Sequence, residues 1–361
     1  MTSSQLTLAQ KASRLLELHH GSQPLVLINA WDAASAAMIE HCGLPAIATS
    51  SAAMANALGF PDGQYLPWAQ MLEAVARVCR AVKVPVTADI ESGFATNVTA
   101  LETSITQIIQ AGAVGVNLED VMPANHALQD DVHQNDGPKN SGPENTDSKT
   151  TGAKTADPVR HGSPLFPLPE QIARIQATRR AAQAAGIHLV INARTDAYWQ
   201  AGVSPAEAMR GTLERGKAYL QAGADCIFIP GLRNPDHIKT VIDHLSAGLR
   251  TADLPNPDLP SNDLRTNDLR RNELQTNDPR TNDLPAVHRV APVNILAGPG
   301  VPSIPDLAKL GVKRVSYGSG PHRAAMGLLR RMAEEAKTTG TFKALTEGAV
   351  PYEEINGLFQ R

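Results

Sequence analysis

Eight short apolar runs, spaced along the chain and separated by helix-like stretches, limit what it can fold into more than any other feature. They are Leu25–Asn29, Pro45–Thr49, Val84–Asp89, Val114–Asp120, His188–Arg194, Asp225–Pro230, Val293–Ala297 and Arg314–Gly318. Each is rich in Val, Ile, Leu or Ala and nearly apolar on both faces, the signature of strands buried in a parallel sheet. Between them the periodicity predicts helices over Pro67–Ala81, Ala100–Ala111, Leu168–Ala185, Pro205–Ala222 and Pro235–Leu245. Several end on a glycine just before the next strand ("QAGAVGV", "QAGADCI", "KLGVKRV"), the C-cap that an αβ joint favours. Eight strands alternating with helices predict an α/β fold, a (β/α)₈ TIM-type barrel. An open doubly wound sheet is the alternative, but no GxGxxG follows the first run.

Two segments fall outside the alternation. Residues 124–164 are polar and rich in Gly, Pro, Asn and Asp, and read as a disordered insertion after the fourth strand. Residues 250–286 carry a five-residue repeat ("SNDLR", "TNDLR", "RNELQ", "TNDPR", "TNDLP") and read as a low-complexity surface loop before the seventh strand. The rest is expected to form one domain, 1–361, with a C-terminal helical extension over 339–361.

The formal charge of −3 supplies no field that would draw nucleic acid or an anionic membrane. No run of about 18 apolar residues suggests a membrane span. Cys42, Cys79 and Cys226 show neither metal spacing nor a disulfide framework, and no secretory h-region is evident. A cytoplasmic protein is the expectation.

In a barrel, chemistry gathers where strands end and βα loops begin. Those ends carry Asn29 and Asp32, Ser50 and Ser51, Asp89 and Glu91, Glu119 and Asp120, Arg194 and Asp196, Asn294, and Ser316. Asp89 and Glu91 share a face if the strand persists through them, and Glu119 ends the neighbouring strand. Three converging acids would raise one another's pKa unless a cation neutralised them, and an oxygen-only set favours Mg²⁺ or Mn²⁺. Equally, the acids could cap helices or pair with Arg194. Arg194 in turn could hold a substrate carboxylate through its fork, or pair internally with Glu119 or Asp196. The "ATSSAA" turn could offer N–H groups to an anion. The histidines, among them His126, His133 and His161, show no ligand spacing.

Five stretches together resemble the isocitrate lyase/phosphoenolpyruvate mutase superfamily: "INAWDAASAAMIEHCGLPAIATSSAAMANALGFPDG", "VPVTADIESGF", "AGAVGVNLED", "INARTDAY" and "PVNILAGPGVPSIPDLAKLGVKRVSYG". The resemblance implies Mg²⁺-dependent chemistry on 2-oxo or 2-hydroxy carboxylic acids through an enolate. It implies Asp89, Glu91 and Glu119 as the metal-binding acids, Asp89 most directly, Glu119 through metal-bound water and Glu91 on a longer arm than the usual Asp, and Ser50, Ser51, Ala52, Arg194 and Asn294 as substrate contacts. It further implies catalytic parts for Arg194, Glu119 and Asp62, and a homo-oligomer, tetramer or dimer, that exchanges C-terminal helices. The family's lyases carry a cysteine loop after the fourth strand; here that place reads "EDVMPANHALQDD", with neither Cys nor Lys. The leading expectation is therefore a carbon–carbon lyase or decarboxylase acting on a small dicarboxylic acid. The alternatives are a phosphonopyruvate hydrolase or mutase-like enzyme and a non-catalytic 2-oxo acid-binding protein.

Overall fold

A computed structural model describes residues 6–123, 164–247 and 290–360. The two stretches read as insertions, 124–164 and 250–286, lie outside the described residues but for Pro164, as do His126, His133 and His161. The strands are β1 (Leu25–Leu27), β2 (Asn29–Ala30), β3 (Ile47–Thr49), β4 (Val86–Asp89), β5 (Gly115–Glu119), β6 (Val190–Arg194), β7 (Cys226–Phe228), β8 (Val293–Leu296) and β9 (Arg314–Ser316). They pair in the order β1-β9-β8-β7-β6-β5-β4-β3-β2, every pair parallel.

The first apolar run supplies both β1 and β2. It breaks at Ile28, so that Leu25–Leu27 pair with β9 while Asn29–Ala30 pair with β3. That change of partner within one run closes the sheet, and the eight expected strands form a closed (β/α)₈ barrel rather than an open sheet. Asn29 locks the junction: its Nδ2 donates to Thr49 O at 2.7 Å, and its Oδ1 accepts from Tyr317 N and Gly318 N at 2.9 Å each.

The helices are α1 (Leu8–His19), α2 (Ala33–His41), α3 (Ser51–Ala57), α4 (Trp68–Ala81), α5 (Val98–Gln110), α6 (Leu168–Ala184), α7 (Pro205–Gln221), α8 (Pro235–Ala247), α9 (Ile304–Leu310) and α10 (Gly320–Thr338). Their starts follow local chemistry. Thr7 with Gln10, and Ser204 with Glu207, form reciprocal capping boxes that satisfy orphan N–H groups at α1 and α7. In α4 the buried residues Met71, Val75 and Val78 form one stripe against the sheet. Two short exposed helices follow α10: α11 (Lys343–Thr346) and α12 (Tyr352–Gly357). Among the described residues no helix is long and apolar enough to cross a membrane.

The N-terminal mouth of the barrel is plugged by α1. Gly115, the first residue of β5, has no side chain for a reason of space: a Cβ there would meet Leu15 at 2.8 Å and Thr87 Oγ1 at 2.9 Å. One turn on, fully buried His19 reaches Arg314, the first residue of β9, with Nε2 3.3 Å from Nη1. The other ring nitrogen, Nδ1, lies 2.7 Å from Leu15 O, a carbonyl that can only accept. Nδ1 therefore carries the proton and Nε2 accepts from the guanidinium, so His19 is neutral. Burial first, and then Arg314, push its pKa down to about 3.

An unfolded histidine titrates near 6.5, so below that pH the unfolded chain binds a proton that the folded protein refuses. Stability is expected to fall by about 2 kcal/mol between pH 7 and pH 5 from this residue alone. Asp225 does not interfere in that window. Burial opposes its charge, but Arg179 and His188 hold its pKa well below the usual range, so its contribution is lost only below about pH 4. Urea midpoints at the two pH values, for the wild type and His19→Gln, measure the effect. An unchanged slope in the variant would refute it.

Candidate active site

A cavity of about 120 Å³ opens at the C-terminal ends of the strands. Seven of the nine site residues that the resemblance implies line it, Ser50, Ser51, Ala52, Asp62, Asp89, Arg194 and Asn294, together with the strand-end residues Asn29, Asp196 and Ser316. Glu91 and Glu119, only 1% and 2% exposed, do not line it.

Asp89 ends β4 and is tied to three neighbouring segments. Its Oδ2 accepts from Ser51 N at 3.0 Å and Ser51 Oγ at 2.8 Å, and its Oδ1 from Asn117 Nδ2 at 3.0 Å and, weakly, from Glu91 N at 3.4 Å. Its own N–H donates to Thr49 Oγ1 at 2.9 Å. The β3–α3 turn is thus organised around this carboxylate. Ser51 gives its N–H to Asp89, and Ala53 N donates to the N-cap hydroxyl of Ser50 at 3.4 Å. The expected row of anion-binding N–H groups is therefore largely spent inside the protein.

The strand does not persist to Glu91. The chain coils immediately after Asp89, with positive φ at Glu91 (52°), Gly93 (93°) and Phe94 (49°). Left-handed backbone is costly for the two non-glycine residues and must be imposed by the surroundings. Arg174, fully buried on α6, imposes it. Its Nη2 donates to Ser92 O and, at 3.4 Å, to Ala95 O, while its guanidinium stacks 4.5 Å from the centre of the Phe166 ring. Gln64 Nε2 also donates to Ser92 Oγ. A side chain at Gly93 would be strained by its φ of 93°, and its Cβ, 2.3 Å from Leu101 Cδ1, would force Leu101 to shift.

Arg194, at the end of β6, pairs internally with both of its candidate partners. Nε and Nη2 clasp Asp196 at 2.6 and 2.7 Å, and Nη1 lies 2.8 Å from Glu119 Oε2. Burial disfavours its charge, but Asp196 and Glu119 outweigh that and raise its pKa above the ordinary guanidinium value. Behind this clasp stands Asp120, wholly buried. Its Oδ1 accepts Asp196 N at 3.0 Å, and its Oδ2 accepts Tyr219 Oη at 2.7 Å and Arg215 Nη1 at 3.2 Å. Burial pushes the Asp120 pKa up, and Arg215 pulls against it.

The acids expected to cluster do not. Among the described residues, no three His, Cys, Asp or Glu side chains are grouped to hold a metal ion. Two physical reasons account for the difference: the coil turns Glu91 off the strand face, and Arg194 engages Glu119. A set of three direct ligands is therefore not what the fold presents. The residues do suit Mg²⁺ in its commoner mode, one or two carboxylates with water and substrate completing the octahedron. Asp89 faces the cavity with hard oxygens, its weakest bond can be exchanged, and Asp62 lines the same space.

Asn117, Asn192 and Arg314 were missed as cavity residues. A signal was present: each stands two positions before or after another inward polar residue in an otherwise apolar run, as in "GVNLE", "VINAR" and "RVS".

A closed parallel barrel whose strand ends surround a small cavity of carboxylates and arginines defines a (β/α)₈-barrel enzyme that handles a small charged ligand. The family model described as phosphoenolpyruvate phosphomutase matches residues 15–137, 145–272 and 273–337. The 2-methylisocitrate lyase of Bacillus subtilis (strain 168) is 26% identical over 239 residues, 66% of this chain and 65% of that protein. A Burkholderia cenocepacia J2315 structure assigned as a phosphonomutase is 30% identical, with TM-score 0.66, covering 91% of this chain and 100% of that one. A phosphonopyruvate hydrolase solved with oxalate and Mg²⁺ has TM-score 0.63 at 22% identity, covering 96% and 94%. The chain belongs to the phosphoenolpyruvate phosphomutase family, within the isocitrate lyase/phosphoenolpyruvate mutase superfamily of lyases and mutases that act on small carboxylic acids.

Proposed function

We propose that this protein is a Mg²⁺-dependent carbon–carbon lyase or decarboxylase acting on a small 2-hydroxy or 2-oxo dicarboxylate. The observation that carries the reading is Asp89: a carboxylate held by four donors and facing a cavity of a size that fits a short acid. On this reading Asp89 holds the metal directly, with Asp62 beside it, while Glu91 and Glu119 act through water or through Arg194. When bound, Mg²⁺ supplies a Lewis acid for the α-oxygen and its carboxylate.

The remaining work falls to the chain. Ser51 and Asn117 fix the Asp89 carboxylate by hydrogen bonds. Asp196 and Glu119 hold the Arg194 guanidinium in one orientation, so its positive field meets charge that develops in the cavity without reorganising. Ser50 and Ala52 shape the wall beside the substrate carboxylate, and Asn294 offers an amide from β8. The exposed Phe342, Leu345 and Tyr352 of the C-terminal helical extension support a homo-oligomeric assembly in which that segment is covered. A cytoplasmic location accords with the same reading.

A panel of 2-hydroxy and 2-oxo dicarboxylates, assayed for a released 2-oxo acid or carbon dioxide with and without Mg²⁺, tests the proposal. Mg²⁺-dependent cleavage of at least one member is expected. Phosphate release from phosphonopyruvate, or binding of oxo acids without turnover of any, would overturn it.

A further inference from the structure

The two arginines that line the cavity differ in one respect. Arg194 is saturated by two carboxylates, whereas Arg314 has none. No carboxylate of the described residues lies within ion-pair distance of Arg314, though it is only 2% exposed. Its Nη1 meets His19, which is neutral because Nδ1 donates to Leu15 O while Nε2 accepts from the guanidinium, and its Nε has no partner. Nor does neighbouring Cys226 compensate it: burial pushes that thiol up to about 12. Asp89 is the carboxylate whose charge reaches it, from beyond ion-pair distance, so a buried guanidinium with no carboxylate in contact is held against the cavity, a costly arrangement.

Two unpartnered side-chain oxygens share the cavity with it. Asn192 and Asn294, 0% and 1% exposed, each line the cavity with an Oδ1 that meets no donor. For Asn192 the orientation is forced. Asp89 can only accept, so Asn117 turns its NH₂ to Asp89 and its Oδ1 to Asn192, and Asn192 must turn its NH₂ to Asn117. Its carbonyl is left facing a donor that the protein does not supply.

The charges of the cavity are therefore divided along the barrel. Asp89 and Asp62 belong to the strand-end rim, while Arg314 belongs to the first position of β9 above the α1 plug.

The geometry points to a second anion subsite at the barrel floor, in which Arg314 binds the distal carboxylate of a dicarboxylic acid whose other end meets Asp89. The amide carbonyls of Asn192 and Asn294 suit a hydroxyl of that acid, or the water that accompanies its carboxylate. This rests on the reading of the cavity as a carboxylic-acid site and adds its length and charge: two carboxylates, anchored by Arg314 rather than by the already paired Arg194.

Titration calorimetry of the full chain with Mg²⁺ tests it with three probes. L-malate carries the distal carboxylate, 2-hydroxybutyrate replaces it with a methyl group, and oxalate reports on the Asp89 end alone. Wild type is expected to bind malate about 30-fold more tightly than 2-hydroxybutyrate, the worth of one charged hydrogen-bonded contact. In Arg314→Gln the preference should shrink to about threefold or less, on the same scale. Oxalate binding by that variant shows that the rest of the site is folded. Arg314→Lys, which keeps the charge, is expected to retain about a tenfold preference.

A wild type that does not discriminate, an Arg314→Gln that still does, or a lysine variant that loses as much as the glutamine variant would each overturn the subsite. If wild type fails to bind oxalate with Mg²⁺, the reading of the Asp89 end fails instead, and the malate preference still decides Arg314.

Discussion

Asp89→Ala is expected to lower Mg²⁺-dependent turnover by about 10³-fold or more, the scale on which removing a pre-organised charge at a reacting centre acts. This carboxylate does several jobs at once. It is the acid that ends β4 facing the cavity, and it also accepts from Ser51 N, Ser51 Oγ and Asn117 Nδ2. Alanine deletes the metal-binding oxygen and leaves those donors without an acceptor, so the β3–α3 turn loses its organiser as well. Asp89→Asn separates the two effects. It keeps one acceptor oxygen and most of the shape, but its NH₂ confronts the donors of Ser51 or Asn117. Both variants should lose oxalate affinity in Mg²⁺ while their circular dichroism stays that of the wild type. Turnover within about tenfold of wild type in Asp89→Ala would remove this residue from the chemistry.

The largest loss of stability is expected at Asp120. Asp120→Ala strips Arg215 and Tyr219 of their shared acceptor in a buried setting, and it frees Asp196 N. Breaking a buried ion pair from one side costs about 3–5 kcal/mol, because the remaining charge stays uncompensated. That is a large fraction of the ~5–15 kcal/mol that holds an ordinary domain together. Because Asp196 carries the clasp on Arg194, the same substitution should loosen that guanidinium, linking stability to the site. A urea midpoint that falls by less than about 1 kcal/mol equivalent would show that the network relaxes around the loss. Arg215→Met beside it, which removes the cation together with its need for a partner, should cost less than Asp120→Ala.

Much of the fold was legible because its physics is local. The eight runs are apolar on both faces, and "QAGADCI" or "KLGVKRV" announces a helix end and a strand start within a few residues. Barrel closure was legible only as a count; that one run splits at Ile28 to serve two partners depends on twist and shear, which no window of sequence carries. In the site, Asp89, Arg194 and Asn294 could be found because each ends or interrupts an apolar strand. Alternation assumes extended backbone, and on that assumption Glu91 falls on the strand face. What overrides it is Arg174, whose grip on Ser92 and Ala95 spans about eighty residues of sequence. Arg314 is hidden in the sequence for a related reason. It begins a strand rather than ending one, and its importance lies in the absence of a partner, which only three-dimensional packing reveals.

The plug formed by α1 changes the medium in which the cavity works. A barrel open at both mouths would let water run through it, and charges along its axis would be screened to near bulk strength. With Leu15 filling the space left by Gly115 and a neutral His19 set against Arg314, the lower mouth is sealed by an uncharged stopper. The interior then behaves as a blind well of low permittivity, in which each charge acts several-fold more strongly than it would in water. The strength of the field felt at the open rim is in that sense set by a helix at the far end of the molecule.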